Sequence, residues 1–272
     1  MPKILFPNRS FRKLASVFFA GLAIVAITTA FSQPVPNAEK GKLAQEYVAK
    51  LDQELDLGKG LVKGTFLLIR RNGQSETWSV NTFRTEADSL MLFERKGRGV
   101  EWKLLFQEQG ERAFAFNVLS TKMFRKTEEE RFEDVLGTGF SYQDLSGTLY
   151  QANYTPVMKG VQTLENEELY RVLLKPILPI YYSKLILFLR KKDEKPVRID
   201  YFDRDGVLFK TLNIKYGEVK VEEYNIKRTA EMANRLEMLD LNSGSIGVFE
   251  IREIDRDVKT DASLFKVENL GR

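Results

Sequence analysis

The sequence predicts a mainly β fold: a strongly curved antiparallel sheet, or part-closed barrel, with its concave side covered by an N-terminal helix and a short helical island. Three observations predict it. From Gly64 onward, runs rich in β-branched and aromatic residues follow one another, punctuated by glycine and by Asn-Gly or Asp-Gly turns. Those runs alternate poorly: Thr65-Phe-Leu-Leu-Ile69, Trp102-Lys-Leu-Leu-Phe106 and Leu185-Ile-Leu-Phe-Leu189 put apolar residues on both faces, whereas a sheet with one wet face would alternate strictly. Both faces therefore need cover. Two stretches of helical pattern, near residues 38–57 and 127–145, are available to supply it.

In chain order, Lys3, Arg9, Arg12 and Lys13 form a basic front, and Leu14 to Phe31 follow without a charge. This is the pattern of a secretory signal, with small residues at Ala30 and Ser32 placing the cut after Ser32; an uncleaved signal anchor is the competing reading. The segment also carries the whole charge excess. Its four basic residues account for the difference between 42 Lys+Arg and 38 Asp+Glu, so the remainder is neutral. Nucleic-acid binding needs a basic surplus over the folded part and is not expected. The chain has no Cys and no His. Lipid attachment through an N-terminal Cys, disulfides, Ser-His-Asp or Cys-His catalysis, and His or Cys metal sites are thereby excluded by inventory. Roughly 240 residues remain after the cut, enough for one core, so residues 38–272 are expected as one domain behind a 33–37 linker.

Asn37 can cap a helix from Ala38 to Leu57, closed by Gly58 and Gly60. Leu43, Tyr47, Leu51 and Leu55, widened by Ala44 and Val48, give it one apolar face. Thr65 to Arg71 and Gln74 to Phe83 flank Asn72-Gly73, a hairpin signal in which both turn residues take positive φ. Strands are expected at Ser89 to Glu94, Val100 to Gln107, Arg112 to Val118 and Thr121 to Arg125. After the island come Leu149 to Val157, Leu169 to Lys175, Lys184 to Arg190, Val197 to Phe202 and Val207 to Ile214. Glu218 to Asn225, Arg228 to Leu239 and Ile246 to Asp255 follow, with Ser263 to Leu270 as a closing segment. This is an antiparallel meander of about ten to twelve strands.

The island is the exception. Ser141 and Asp144 outline a capping box, with Phe140 and Leu145 placed as its hydrophobic staple. Thr127 and Glu130 outline a second box, predicting a helix from Thr127 to Leu136 with Phe132, Val135 and Leu136 on one face. Gly137 and Gly139 loosen the join. The island is either fixed cover for one end of the core or a movable lid.

Gly-Thr-Gly-Phe-Ser-Tyr-Gln-Asp-Leu, from Gly137 to Leu145, resembles the Gly-Ser-Asp-Phe-Ser-Tyr-Glu-Asp-Leu run of the outer-membrane lipoprotein-sorting proteins, the wider group of LolA-type periplasmic carriers. Tyr201, Asp203, Gly206 and Lys210 are similar to the group's Tyr-Asp-x-x-Gly-x-x-x-Lys hairpin. The resemblance spans roughly Leu61 to the C-terminus. Gly139 and Gln143 stand where the group carries acidic residues. The resemblance implies an unclosed β half-barrel with helices over a hydrophobic cavity, no catalysis and no cofactor. It implies a periplasmic monomer that carries lipid or lipoprotein acyl chains between an inner-membrane transporter and an outer-membrane acceptor.

Motifs that look chemical have simpler readings. Asp203-Arg-Asp-Gly206 and Asp240-Leu-Asn-Ser-Gly244 begin like calcium loops, but their twelfth positions are Ile214 and Ile251 where a bidentate Glu is needed, so both read as hairpin turns. Glu128-Glu-Glu130 and Glu165 to Glu168 read as solvated faces, with nothing fixing the separation a glycosidase requires. Arg190-Lys-Lys192 reads as a loop. The expected site is therefore apolar: Phe132, Leu136, Phe140, Tyr142 and Leu145 from the island, Leu43, Tyr47 and Leu51 from the first helix, and Phe66, Trp78, Trp102, Phe114 and Phe116 from the sheet. For the sheet residues, simple core packing is the alternative to a ligand cavity. An envelope adaptor for a membrane transporter and a carboxylate-dependent hydrolase are the rival functions.

Overall fold

A computed structural model describes residues 37–147, 149–178 and 181–272; the expected signal and its cleavage site lie outside these residues. Helix α1 (Asn37–Leu55) begins at the expected cap and buries Ala44, Tyr47, Val48 and Leu51, with Leu43 and Leu55 packed at the margin of the core. The four-residue repeat thus became the buried stripe. Six strands follow: β1 (Gly60–Ile69), β2 (Ser75–Arg84), β3 (Ser89–Arg95), β4 (Gly99–Gln107), β5 (Arg112–Asn117) and β6 (Lys122–Lys126). The island comes next, with helical turns α2 (Tyr142–Leu145) and α3 (Tyr150–Asn153). Seven more strands complete the sheet: β7 (Tyr154–Leu164), β8 (Glu167–Pro176), β9 (Lys184–Arg190), β10 (Pro196–Phe202), β11 (Leu208–Glu223), β12 (Ile226–Asp240) and β13 (Ile246–Asp255).

All thirteen strands join one unclosed sheet in the order β6-β5-β4-β3-β2-β1-β13-β12-β11-β10-β9-β8-β7. Two meanders therefore lie side by side, joined where β1 pairs antiparallel with β13. A short parallel pairing of Lys220–Glu222 in β11 with Glu253–Asp255 in β13 supplements them. Open edges invite pairing with other chains. Edge strand β6 carries Lys122, Arg125 and Lys126, and edge strand β7 is interrupted by a bulge between Met158 and Val161, both of which blunt that tendency.

Two cores explain the poor alternation. Along β3, β4 and β5, Met91, Phe93, Leu104, Phe106, Ala113 and Ala115 enter the large core beneath the helices. Their neighbours Leu90, Leu105, Phe114 and Phe116 point to the other face and pack under Phe265, in the C-terminal 3-10 turn Ala262–Phe265, and Leu270, which follows the 3-10 turn Val267–Asn269. Gln107 Nε2 donates to Phe265 O at 2.8 Å and ties that cover down. Phe114 and Phe116, expected in the cavity, therefore belong to the outer core; nothing in an apolar-apolar run tells the two faces apart.

Four local expectations are corrected. The Thr127/Glu130 capping box forms, with Thr127 N donating to Glu130 Oε2 at 2.8 Å, but it caps a single 3-10 turn, Glu130–Phe132. The Thr127–Leu136 helix does not form, because Leu136 at φ 58° and the bond from Val135 N to Phe140 O (2.7 Å) fold the chain back on itself. The segment expected to open a strand at Leu149 first makes α3, because the Asp52 carboxylate accepts from the Tyr150 and Gln151 amides at 2.7 and 2.9 Å. The β1–β2 turn has Gly73 alone at positive φ (83°), with Gly73 N bonded to Arg70 O and Arg70 N to Gln74 O, a three-residue loop in place of the two-residue one. Finally, the strands expected at Val207 to Ile214 and Glu218 to Asn225 merge into one, β11, which ends at Glu223 because Tyr224 and Asn225 take positive φ in the turn that follows.

Candidate functional site

The island lies against the inner face of the sheet. Phe140 is buried and its ring meets Phe66 edge-on at 5.5 Å; Phe66 in turn touches Phe93 at 5.5 Å and Phe249 at 5.8 Å. Gly137 and Gly139, at φ 82° and 78°, make a tied turn in place of the loose join expected: Asp134 accepts from the Thr138 and Gly139 amides at 2.8 and 2.7 Å, and Ser245 Oγ donates to Gly137 O at 3.0 Å. Beneath this turn runs Gly247. A Cβ there would lie 2.2 Å from Thr138 O, so glycine alone lets the loop come this close to the sheet.

The Ser141/Asp144 box forms in full, with Asp144 N donating to Ser141 Oγ at 3.2 Å and Ser141 N to Asp144 Oδ2 at 2.8 Å. Its carboxylate does more than cap. Lys210 Nζ donates to Asp144 Oδ2, the two side chains being 4% and 7% exposed, and Tyr182 OH donates to Asp144 Oδ1 at 3.2 Å. Lys210 sits directly opposite Tyr201 in the β10–β11 register, its ammonium 4.8 Å from the Tyr201 ring and 4.9 Å from that of Tyr182. Tyr150 OH and Tyr201 OH share a hydrogen bond at 3.2 Å. Burial pushes the Tyr150, Tyr182 and Tyr201 phenols up from their ordinary value, so all three remain protonated donors at neutral pH. The two motifs that carry the family resemblance thus meet in one buried polar cluster. Asp203 and Gly206 only shape the hairpin that sets the register, through Gly206 N to Asp203 O at 3.0 Å. A buried ion pair returns little net stability, because desolvation opposes the attraction; its effect is to fix one position for the island.

Between the island, α1 and the sheet lies a cavity of ≈ 540 Å³, within the range of small-molecule sites. Met91, Phe140, Leu145, Leu212, Leu236 and Phe249 give it apolar walls, with Tyr150 and Tyr201 beside them and Asp52, Thr82 and Arg84 among its polar lining.

The expected site residues divide. Phe140 and Leu145 line the cavity. Phe66, Trp78, Tyr47 and Leu51 are buried in the inner core and Leu43, Trp102, Phe132 and Leu136 pack at its margin, but they are not among the lining residues. Phe132 instead stacks on Tyr181 at 5.6 Å, Tyr142 lies under Lys126 at 4.7 Å, and Trp78 donates to Glu101 at 3.1 Å. Sequence reasoning missed Lys210 as the partner of Asp144 and missed Thr82, Arg84, Met91, Leu212 and Phe249. The available signal for the first was its place in the hairpin motif. For β2 it was the row Trp78, Val80, Thr82, Arg84, which turns from apolar to polar along one face.

Fold and cavity together define an unclosed half-barrel of the LolA type, and solved structures agree. The chain is similar to a DUF1329 family protein from Desulfovibrio piger (TM-score 0.70, 17% identity, 85% of this chain and 99% of that one). It is similar to a protein described as an outer membrane lipoprotein-sorting protein domain from Vibrio parahaemolyticus (0.68, 17%, 87% and 100%) and to a LolA superfamily protein from Nitrosomonas europaea (0.63, 17%, 84% and 99%). At such identity these likenesses establish the fold. No curated protein matches the sequence. A family model described as "-like: Uncharacterized protein" matches residues 85–272, and the chain belongs to that family.

Proposed function

We propose that this is an exported, monomeric carrier that holds the acyl chains of a lipid or lipoprotein in the cavity beneath the island, without catalysis. The observation that carries the reading is a cavity of ≈ 540 Å³ with apolar walls, bordered by a segment that the buried Lys210–Asp144 pair, the Ser245–Gly137 bond and the Phe140–Phe66 contact hold against the sheet. Withdrawing a chain from water is favourable by roughly 0.8 kcal/mol per buried CH₂, so binding needs no reacting group. Phe140 and Leu145 face the same cavity and supply apolar contact when it is empty. Lifting the island exposes those two side chains and the cavity together, which couples opening to the presence of an acceptor for the chain. The name of the Vibrio parahaemolyticus neighbour, an outer membrane lipoprotein-sorting protein domain, supports this cargo class, and the N-terminal segment supports delivery across the inner membrane. An inner-membrane transporter would then load the carrier and an outer-membrane acceptor unload it.

The test is one preparation of the protein from the cell envelope. Its N-terminus is expected at or within a few residues of Gln33, and mass spectrometry of an organic extract is expected to find acyl lipid in near-stoichiometric amount. An intact Met1 in the membrane pellet would overturn the free-carrier reading, and an extract without lipid would favour an adaptor for a transporter.

A further inference from the structure

Thr82 is the anomaly of the inner face. It stands in β2 between Val62 of β1 and Met91 of β3, both buried apolar residues, is 4% exposed, and its Oγ1 has no hydrogen-bond partner although it lines the cavity. A buried hydroxyl left unpaired is unfavourable, so its position in the cavity wall points to a partner that arrives with a ligand. Two residues further along the same face, roughly 7 Å away, is Arg84. It is the cationic residue among the described lining. Its Nε donates to Gly58 O at 2.9 Å, which holds the guanidinium at the seam between the end of α1 and the end of the island, where Gly147 lies beside it. Its nearest carboxylate, Asp56, is 3.9 Å away and largely exposed, and burial accordingly lowers the Arg84 pKa from its ordinary value.

The other carboxylates of the lining already have partners. Asp52 takes the α3 amides, Asp144 takes Lys210, Asp88 accepts from Glu108 N at 3.1 Å, and Glu86 pairs with Lys59. What remains for a ligand is a guanidinium fork and a hydroxyl, side by side, where the apolar lining begins.

We infer that Arg84 and Thr82 form a headgroup subsite, so that the cargo is an amphiphile with an anionic head, carboxylate or phosphate, at the Arg84 end and its chain along Phe140, Leu212 and Phe249. The fork suits a planar or tetrahedral oxyanion in two-point contact, and the Thr82 hydroxyl donates to a further oxygen. This deepens the carrier reading and rests on it.

The experiment compares three probes with the same C16 tail on delipidated protein: palmitate, palmitoyl lysophosphatidic acid and neutral monopalmitoylglycerol, by calorimetry, for the parent, Arg84→Gln and Thr82→Val. The parent is expected to hold at least one anionic probe about tenfold more tightly than the neutral one, the equivalent of one good charge-assisted contact. Whichever of carboxylate and phosphate shows the larger preference names the source of the head. Arg84→Gln is expected to shrink that preference to under about threefold, and Thr82→Val to weaken anion binding about three- to tenfold. Because valine removes an unpaired hydroxyl, Thr82→Val should melt no lower than the parent, which separates lost affinity from lost fold. Equal binding of all three probes by the parent, or an undiminished preference in Arg84→Gln, would overturn the subsite while leaving the carrier reading intact. Failure of the parent to bind any of the three would overturn both.

Discussion

Lys210→Met is expected to destabilise the fold by about 3–5 kcal/mol, read as a shift in the urea midpoint, because it leaves the Asp144 carboxylate buried without its counter-charge. Methionine keeps the length and apolar stem of lysine, so little of the loss comes from packing against Tyr182 and Tyr201. The double change Lys210→Met with Asp144→Asn should recover part of the loss, since no uncompensated charge then remains. That recovery distinguishes a charge effect from a packing effect. A loss under about 1 kcal/mol for the single variant would place the pair in a solvated environment, where exposed ion pairs contribute that little.

Gly247→Ala is expected to lift the island while leaving the sheet in place. The added methyl would lie 2.2 Å from Thr138 O, 2.9 Å from Thr138 Cβ and 3.1 Å from the Phe140 ring, and the first of these is backbone that cannot rotate away. Gly247 is not at positive φ, so the alanine is compatible with its own backbone and the conflict falls on the island. Overpacking of this kind costs roughly 1–3 kcal/mol. Hydrogen exchange read by mass spectrometry should show at least a tenfold faster exchange for the peptide containing Val135 to Leu145, whose Val135 and Thr138 amides are bonded within the loop, with β11 and β12 unchanged. Unaltered exchange in that peptide would mean the close approach at Gly247 does not hold the island down. Gly139→Pro is a poorer choice. At φ 78° the residue lies far from the value proline imposes, so proline there would break the turn rather than stiffen it.

What could be read in the sequence was what short-range chemistry decides. The Ser141/Asp144 box lies within one turn of helix, and both halves of it are visible side by side in the chain. Helix α1 announced itself through Leu43, Tyr47, Leu51 and Leu55, and strands such as β9 and β13 were bounded by turn residues on each side. The cavity wall was a different matter. Whether Phe106 or Phe114 faces inward depends on pairing register and on which face the C-terminal turns cover, and neither is written in the local alternation. Lys210 is 66 residues from Asp144, so its role required the β10–β11 register as well as the hairpin motif. The Thr127 box shows the converse failure: a correct local signal capped one turn only, because the Val135–Phe140 loop claims the following backbone groups.

Stopped-flow uptake and release of a fluorescent fatty acid tests most directly whether the island is a gate over a cavity that takes an acyl chain. The comparison is the parent against Phe140→Ser and Leu145→Ser, at a temperature where circular dichroism shows all three folded, since loss of a buried phenylalanine costs about 3–5 kcal/mol. Both side chains line the cavity, so both changes weaken the closed state, and about 1.4 kcal/mol removed from it raises the open fraction roughly tenfold. The predicted result is uptake faster by about that factor and slower release to acceptor vesicles, because the weakened island competes less for the cavity. Uptake and release at the parent rate in both folded variants would contradict the gate and leave the island as fixed cover.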